Sequence, residues 1–161
     1  MTATGRPTAV ELIRSSVLSP AEYAHAATAP AHGRLVFLAG SCPLDADGAT
    51  VAPGDHAAQA GQCVANLRQA LTDAGARMTD VISTRVLVAS ARRADLVTAW
   101  RVVRDAFGEH EVPSTLLGVT VLGYDDQLVE VGGGGRGPRR TLIRPATLVA
   151  PVGPQSRGRH R

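Results

Sequence analysis

The stretch from Asp55 to Gly75 leaves this chain the fewest alternatives. Ala60, Cys63, Val64, Leu67, Leu71 and Ala74 recur at spacings of three and four, the period that lines one side of an α-helix. Asp55 offers a side-chain acceptor to the first unpaired N–H groups, and Gly75 is the left-handed residue that ends such a helix. The result is an amphipathic helix of about five turns, and its apolar stripe must be covered. The neighbouring runs supply the cover. Arg34–Gly40 (RLVFLAG), between Gly33 and Pro43, and Val81–Ala89 (VISTRVLVA) are short, apolar and β-branched enough to be buried strands.

The remaining elements follow the same logic. A second helix is expected over Ala94–Phe107, with Leu96, Trp100, Val103 and Phe107 inward and Arg92, Arg93, Arg101 and Arg104 mostly outward. Pro113 breaks the chain before a strand at Thr115–Leu122. Gly123-Tyr124-Asp125-Asp126 turns it, and Gln127–Val131 returns as the last strand. Thr8–Ser15 is a short first strand. Strands, helix, strand, helix, strand, strand is the order of an α+β sandwich with both helices on one face of a sheet. The other face then needs cover, which a fold of this size obtains by oligomerising.

Composition narrows the function classes. Of 161 residues, 44% are apolar but only 3% aromatic, so the core is aliphatic. No run reaches the length of a membrane span and MTATGRPTAVELIRS lacks a basic-then-apolar leader, so a cytoplasmic location is expected. Two cysteines make no disulfide framework. Cys63 falls on the apolar stripe, where a thiol packs as a small hydrophobe, and Cys42 is expected in core or edge packing. With no CxxC or HxxxH spacing, neither a metal nor a cofactor is expected.

The overall charge of +3 divides unevenly. Arg136, Arg139, Arg140, Arg144, Arg157, Arg159 and Arg161 all lie in 132–161, which has no acid. Removing these seven from 17 basic residues leaves ten against 14 acidic ones, a net of −4 for 1–131. A mildly acidic domain is a poor nucleic-acid surface, leaving only weak electrostatic binding by the tail.

That tail begins abruptly. Gly132-Gly133-Gly134-Gly135 is expected to end the strand at Val131, because glycine adds entropic cost and no side chain. The domain is therefore set at 1–131, with 132–161 as a Gly/Arg/Pro-rich tail. Either the tail is a disordered arginine-rich segment or the gene carries a single-base frameshift. In GC-rich coding, GAG GCG GTG GC preceded by one extra G reads as four glycine codons, and a chain with no lysine and 17 arginines fits such coding.

One resemblance emerges from several segments. Pro113–Val131 (PSTLLGVTVLGYDDQLVEV), Glu22-Tyr23-Ala24-His25-Ala26, Phe37-Leu38-Ala39-Gly40-Ser41, Pro43–Gly48, the long helix, Gly75 and Asp80-Val81 follow in order the pattern of the Rid (YjgF-type) imine deaminase family. The resemblance covers roughly residues 10–131. It implies a chorismate-mutase-like α+β fold assembled as a homotrimer, with ligand pockets in the clefts between subunits. It also implies hydrolysis of enamines and imines to 2-oxo acids and ammonia. In that chemistry an arginine clamps the substrate carboxylate in a bidentate pair and a glutamate orients the attacking water.

Residue by residue, Glu130 matches the water-orienting glutamate, the alternative being a solvent-facing acid. Tyr23 matches a pocket-lining tyrosine, or is a packing residue. Gly40 matches a glycine that admits the ligand to the backbone, or is a strand-end turn. Thr115 stands where the family has arginine, and Leu117 where its well-studied branch has cysteine. Arg101 falls at an asparagine position and reads as a solvated helix charge; Arg85, on the neighbouring strand, is a remote substitute for the missing cation. One neutral hydroxyl in place of five charged donors puts turnover in question. Three functions remain: an imine/enamine hydrolase, a trimer that binds a small ligand without turnover, and, more remotely, an RNA-directed activity.

Overall fold

A computed structural model describes residues 10–137 of the chain. Its elements are β1 (Glu11–Ile13), β2 (Ala26–Thr28), β3 (Arg34–Ser41), α1 (His56–Asp73), a 3-10 turn at Met78–Asp80, β4 (Val81–Ala89), α2 (Arg93–Phe107), β5 (Ser114–Val119) and β6 (Val129–Gly137). Asp55 caps α1 as expected, its carboxylate accepting from the Ala57 and Ala58 N–H groups. At the other end Gly75 takes φ +67°, where a Cβ would be strained. The Arg34 guanidinium donates to the freed Ala74 carbonyl, tying the helix end to β3.

The main sheet has strand order β3-β6-β4-β5. β6 is antiparallel to both β3 and β4, whereas β4 and β5 are parallel, so α2 is the crossover such a pair requires. β1 and β2 form a separate antiparallel pair. α1 packs on β3 and β6, α2 on β4 and β5, and the helices on each other. Alternate strand residues Val36, Val86, Val88, Val129 and Val131 join Leu67, Leu71, Val103 and Phe107 in one buried cluster. Both helices therefore cover the same sheet face, as expected for the α+β class. Truncating Leu67 or Leu71, each fully enclosed, would cost about 2–5 kcal/mol.

Three expectations change. The strand over 115–122 is shorter, ending at Val119, and β2 was not anticipated. More important, the strand does not end at Val131: β6 runs through Gly137 between β3 and β4, with Gly133, Gly134 and Gly135 paired on both sides, Gly132 with β4 and Gly137 with β3. A glycine gives up side-chain contacts but keeps its N–H and C=O for the ladder, and two flanking strands satisfy both. The close fit also depends on missing side chains. A Cβ on Gly133 would stand 2.6 Å from the Ser83 carbonyl oxygen, and one on Gly135 would overlap that of Asp80, beside a register shift between Val81 and Ser83. The boundary at 131 is thus too early. The rest of the tail, 138–161, lies outside the described residues.

Candidate functional site

The face of the sheet turned away from the helices is open. Phe37 is 84% exposed, and Leu35 and Leu117 about half exposed. Strand pairing sets this face out in rows. Arg85 is opposite Gly132 on one side and Thr115 on the other. Two residues further, about 7 Å along the strand, Leu87 is opposite Glu130 and Leu117.

Glu130 is the most constrained acid on this face. Its carboxylate accepts from Gln127 Nε2 at 3.4 Å and from the Cys42 thiol at 3.8 Å. It lies against Gly40 so closely that a Cβ there would overlap it. Gln127 is buried and also donates to the Val129 carbonyl. Burial, and next the negative charge of Glu130, push the Cys42 thiol above its usual range, so it stays protonated and can donate. Cys63, on the core side, is pushed up to about 12, chiefly by burial. The missing side chain at Gly40 thus leaves the space that the Glu130 carboxylate fills.

Thr115 and Tyr23 meet elsewhere on the face, in an open groove of about 570 Å³ that Arg85, Phe37 and Gly133–Gly135 also line. The glycines give this groove a floor without side chains. Tyr23 is held at the rim by its neighbours. Its ring meets Trp100 edge-on at 6.1 Å, and adjacent Glu22 accepts from Trp100 Nε1 at 3.1 Å and Arg104 at 2.6 Å. Those two contacts, Trp100 first, hold the Glu22 carboxyl below its usual range. Ala24 N–H donates to the Glu111 carbonyl at 2.7 Å, fixing the backbone behind the tyrosine.

The five expected site residues therefore lie about the same open face but not in one cavity. Tyr23 and Thr115 line the groove, whereas Glu130, Gly40 and Leu117 belong to the next row. Arg101 is exposed on α2, as expected of a solvated charge. Sequence reasoning missed Gln127 and Cys42 as partners of Glu130. Gln127 carries a weak signal, three residues before the acid, but Cys42 is brought in from a distant turn. No group of three or more His, Cys, Asp or Glu among the described residues could hold a metal ion.

Comparison with known proteins agrees with this architecture. Residues 14–133 match the family model described as Endoribonuclease L-PSP. A solved Rid-family protein of unknown function from Yersinia pestis, YyfB, is 26% identical, with a TM-score of 0.73 over 80% of this chain and 99% of that one. A YjgF/YER057c/UK114 family member from Mycobacterium tuberculosis is also 26% identical, covering 79% of this chain and 98% of its own, with a TM-score of 0.50. Yeast Mmf1, 18% identical over 80% of this chain and 98% of that one with a TM-score of 0.59, shares the fold. No curated protein matches. With the family model spanning well over half its length, the chain belongs to the Endoribonuclease L-PSP family, the family of the YjgF and Rid proteins.

Proposed function

We propose that this protein is a small-molecule hydrolase of the imine/enamine type, working on the open sheet face of a homotrimer. The observation that carries this reading is the fixed Glu130 carboxylate, held by Gln127 and Cys42 over Gly40 and facing away from the core. A carboxylate anchored through one oxygen, Oε2 in both contacts, has the other to orient a water. That water adds to the imine carbon with one proton passing to nitrogen, and as the C–N bond breaks the second proton moves from the new hydroxyl to nitrogen, releasing ammonia and leaving a 2-oxo acid. Leu117 and Leu87 beside Glu130 would keep bulk water off the reacting carbon, and Tyr23 would close the groove side.

Assembly supports the same reading. Leu35, Phe37 and Leu117 are large apolar residues exposed together on a single face, and a protein that stayed monomeric would leave that patch wet. A cleft between copies would enclose the groove floor of Gly133–Gly135. Thr115 favours a second reading, a trimer that binds its ligand without turning it over, because a single neutral hydroxyl holds an anion weakly. An RNA-directed role is disfavoured by the net negative charge of 1–131. No helix among the described residues is long and apolar enough to cross a membrane. The test is release of ammonia and 2-oxo acid from enzymatically generated 2-iminopropanoate. Acceleration over buffer supports the hydrolase, and saturable binding without acceleration supports the second reading.

A further inference from the structure

We infer that Gly132 and Gly134 form a bare strip beside Glu130 that receives a flat ring, making this chain selective for imino acids with an aromatic side chain. The inference rests on the reading of Glu130 given above and adds a side-chain preference to it. Strand register sorts the glycines by face. Gly133 is opposite Leu38 and Thr84, which belong to the core side. Gly134 is opposite Phe37 and Ser83, and Gly132 opposite Arg85, all three exposed on the open face. Glu130, Gly132 and Gly134 therefore stand in line along one strand, about 7 Å apart.

The strip adjoins the carboxylate. β3 carries a register shift between Leu38 and Ser41, which brings Gly40 against both the Glu130 carboxylate and Gly132. A Cβ on Gly132 would have the Gly40 Cα, at 3.8 Å, as its nearest neighbour, and one on Gly134 would lie 3.4 Å from the Val36 carbonyl oxygen. Both positions have room for a side chain that this sequence omits. An aromatic residue across from a strand glycine can fold over it, but Phe37 is 84% exposed and leaves Gly134 uncovered. Bare peptide groups make a flat floor, and Phe37 supplies a ring at its far end. A ring attached through one methylene reaches about 6–7 Å from the reacting carbon, roughly one strand repeat. With that carbon at the Glu130 water, the ring lies over Gly132 with its tip towards Phe37, in reach of an offset or edge-on contact. A branched aliphatic chain gains neither the flat fit nor the ring contact.

Calorimetry on the full chain tests this with phenylpyruvate, 4-methyl-2-oxopentanoate and pyruvate as probes. The wild type should bind phenylpyruvate about tenfold or more tighter than the other two. Gly132→Val and Gly134→Val put side chains on the strip and should bring the ratio of phenylpyruvate to pyruvate affinity close to one. A β-branched residue suits a strand, and Gly132→Ala, the mildest change, guards against misfolding by lowering the ratio part of the way. Equal binding of the three acids by the wild type would overturn the inference. So would tighter binding of the branched acid, no binding of any, or a ratio unchanged in the variants. Turnover separates the two readings. Glu130-dependent ammonia release with no aromatic preference removes the strip alone. A glycine-dependent preference in binding without ammonia release removes the hydrolase and leaves the strip.

Discussion

The Glu130 carboxylate occupies the volume that a side chain at position 40 would need. Because the contact is with the end of a flexible side chain, Gly40→Ala should fold, with stability within about 1 kcal/mol of the wild type. The methyl would push the carboxylate off Gln127 and Cys42. Ammonia release should then fall about tenfold or more, part of the roughly hundredfold or more that a positioned acid–base group supplies. Urea unfolding and turnover measured on the same preparation check both halves. A Gly40→Ala protein of unchanged activity would mean that the position of this carboxylate does not matter.

The glycine run predicts a position-dependent pattern of stability. Gly133→Ala and Gly135→Ala meet backbone oxygens and should lose about 1–3 kcal/mol, as overpacking does. Gly132→Ala meets nothing nearer than 3.8 Å. It should be neutral or gain about 0.4–1 kcal/mol by restricting the unfolded chain. Urea midpoints of the three variants test whether β6 continues past Val131.

Alkaline stability should report Cys63. Its thiol is raised in the folded protein from 9.0 to about 12. Above pH 9 the unfolded chain therefore loses this proton while the folded one keeps it. Stability falls as pH rises across that window. Cys63→Ala should flatten the fall relative to the wild type between pH 9 and 11, read from urea midpoints at each pH.

Assembly should depend on the exposed apolar face. Phe37→Asp places a charge where the side chain is 84% exposed, so the single chain should tolerate it, whereas a buried interface would not. Size-exclusion with light scattering should give a trimer for the wild type and a smaller species for Phe37→Asp.

Much of this was legible in the sequence, for reasons that differ by element. Periodicity and caps located α1 and β4 because a helix stripe and a β-branched run are local signals. The end of β6 was misjudged because glycine's propensity is local, whereas its place between β3 and β4 is set by tertiary pairing. Glu130 and Thr115 could be picked out from resemblance, but their separation into two rows could not. That separation depends on the strand order β3-β6-β4-β5, which places Arg85 beside Thr115. The Cys42 contact joins residues 88 apart in sequence, beyond any spacing rule.

The central claim is that Glu130 serves a hydrolytic water on the open sheet face, and comparing Glu130→Gln with the wild type on 2-iminopropanoate tests it most directly. Glutamine keeps the shape and one acceptor oxygen for the contacts to Gln127 and Cys42, but puts an amide donor in place of the other oxygen and cannot take up a proton. The account predicts ammonia and pyruvate release above the buffer rate for the wild type, loss of about a hundredfold in Glu130→Gln, and unchanged pyruvate binding by both. Equal rates for the two proteins, or a wild-type rate no faster than buffer, would contradict it.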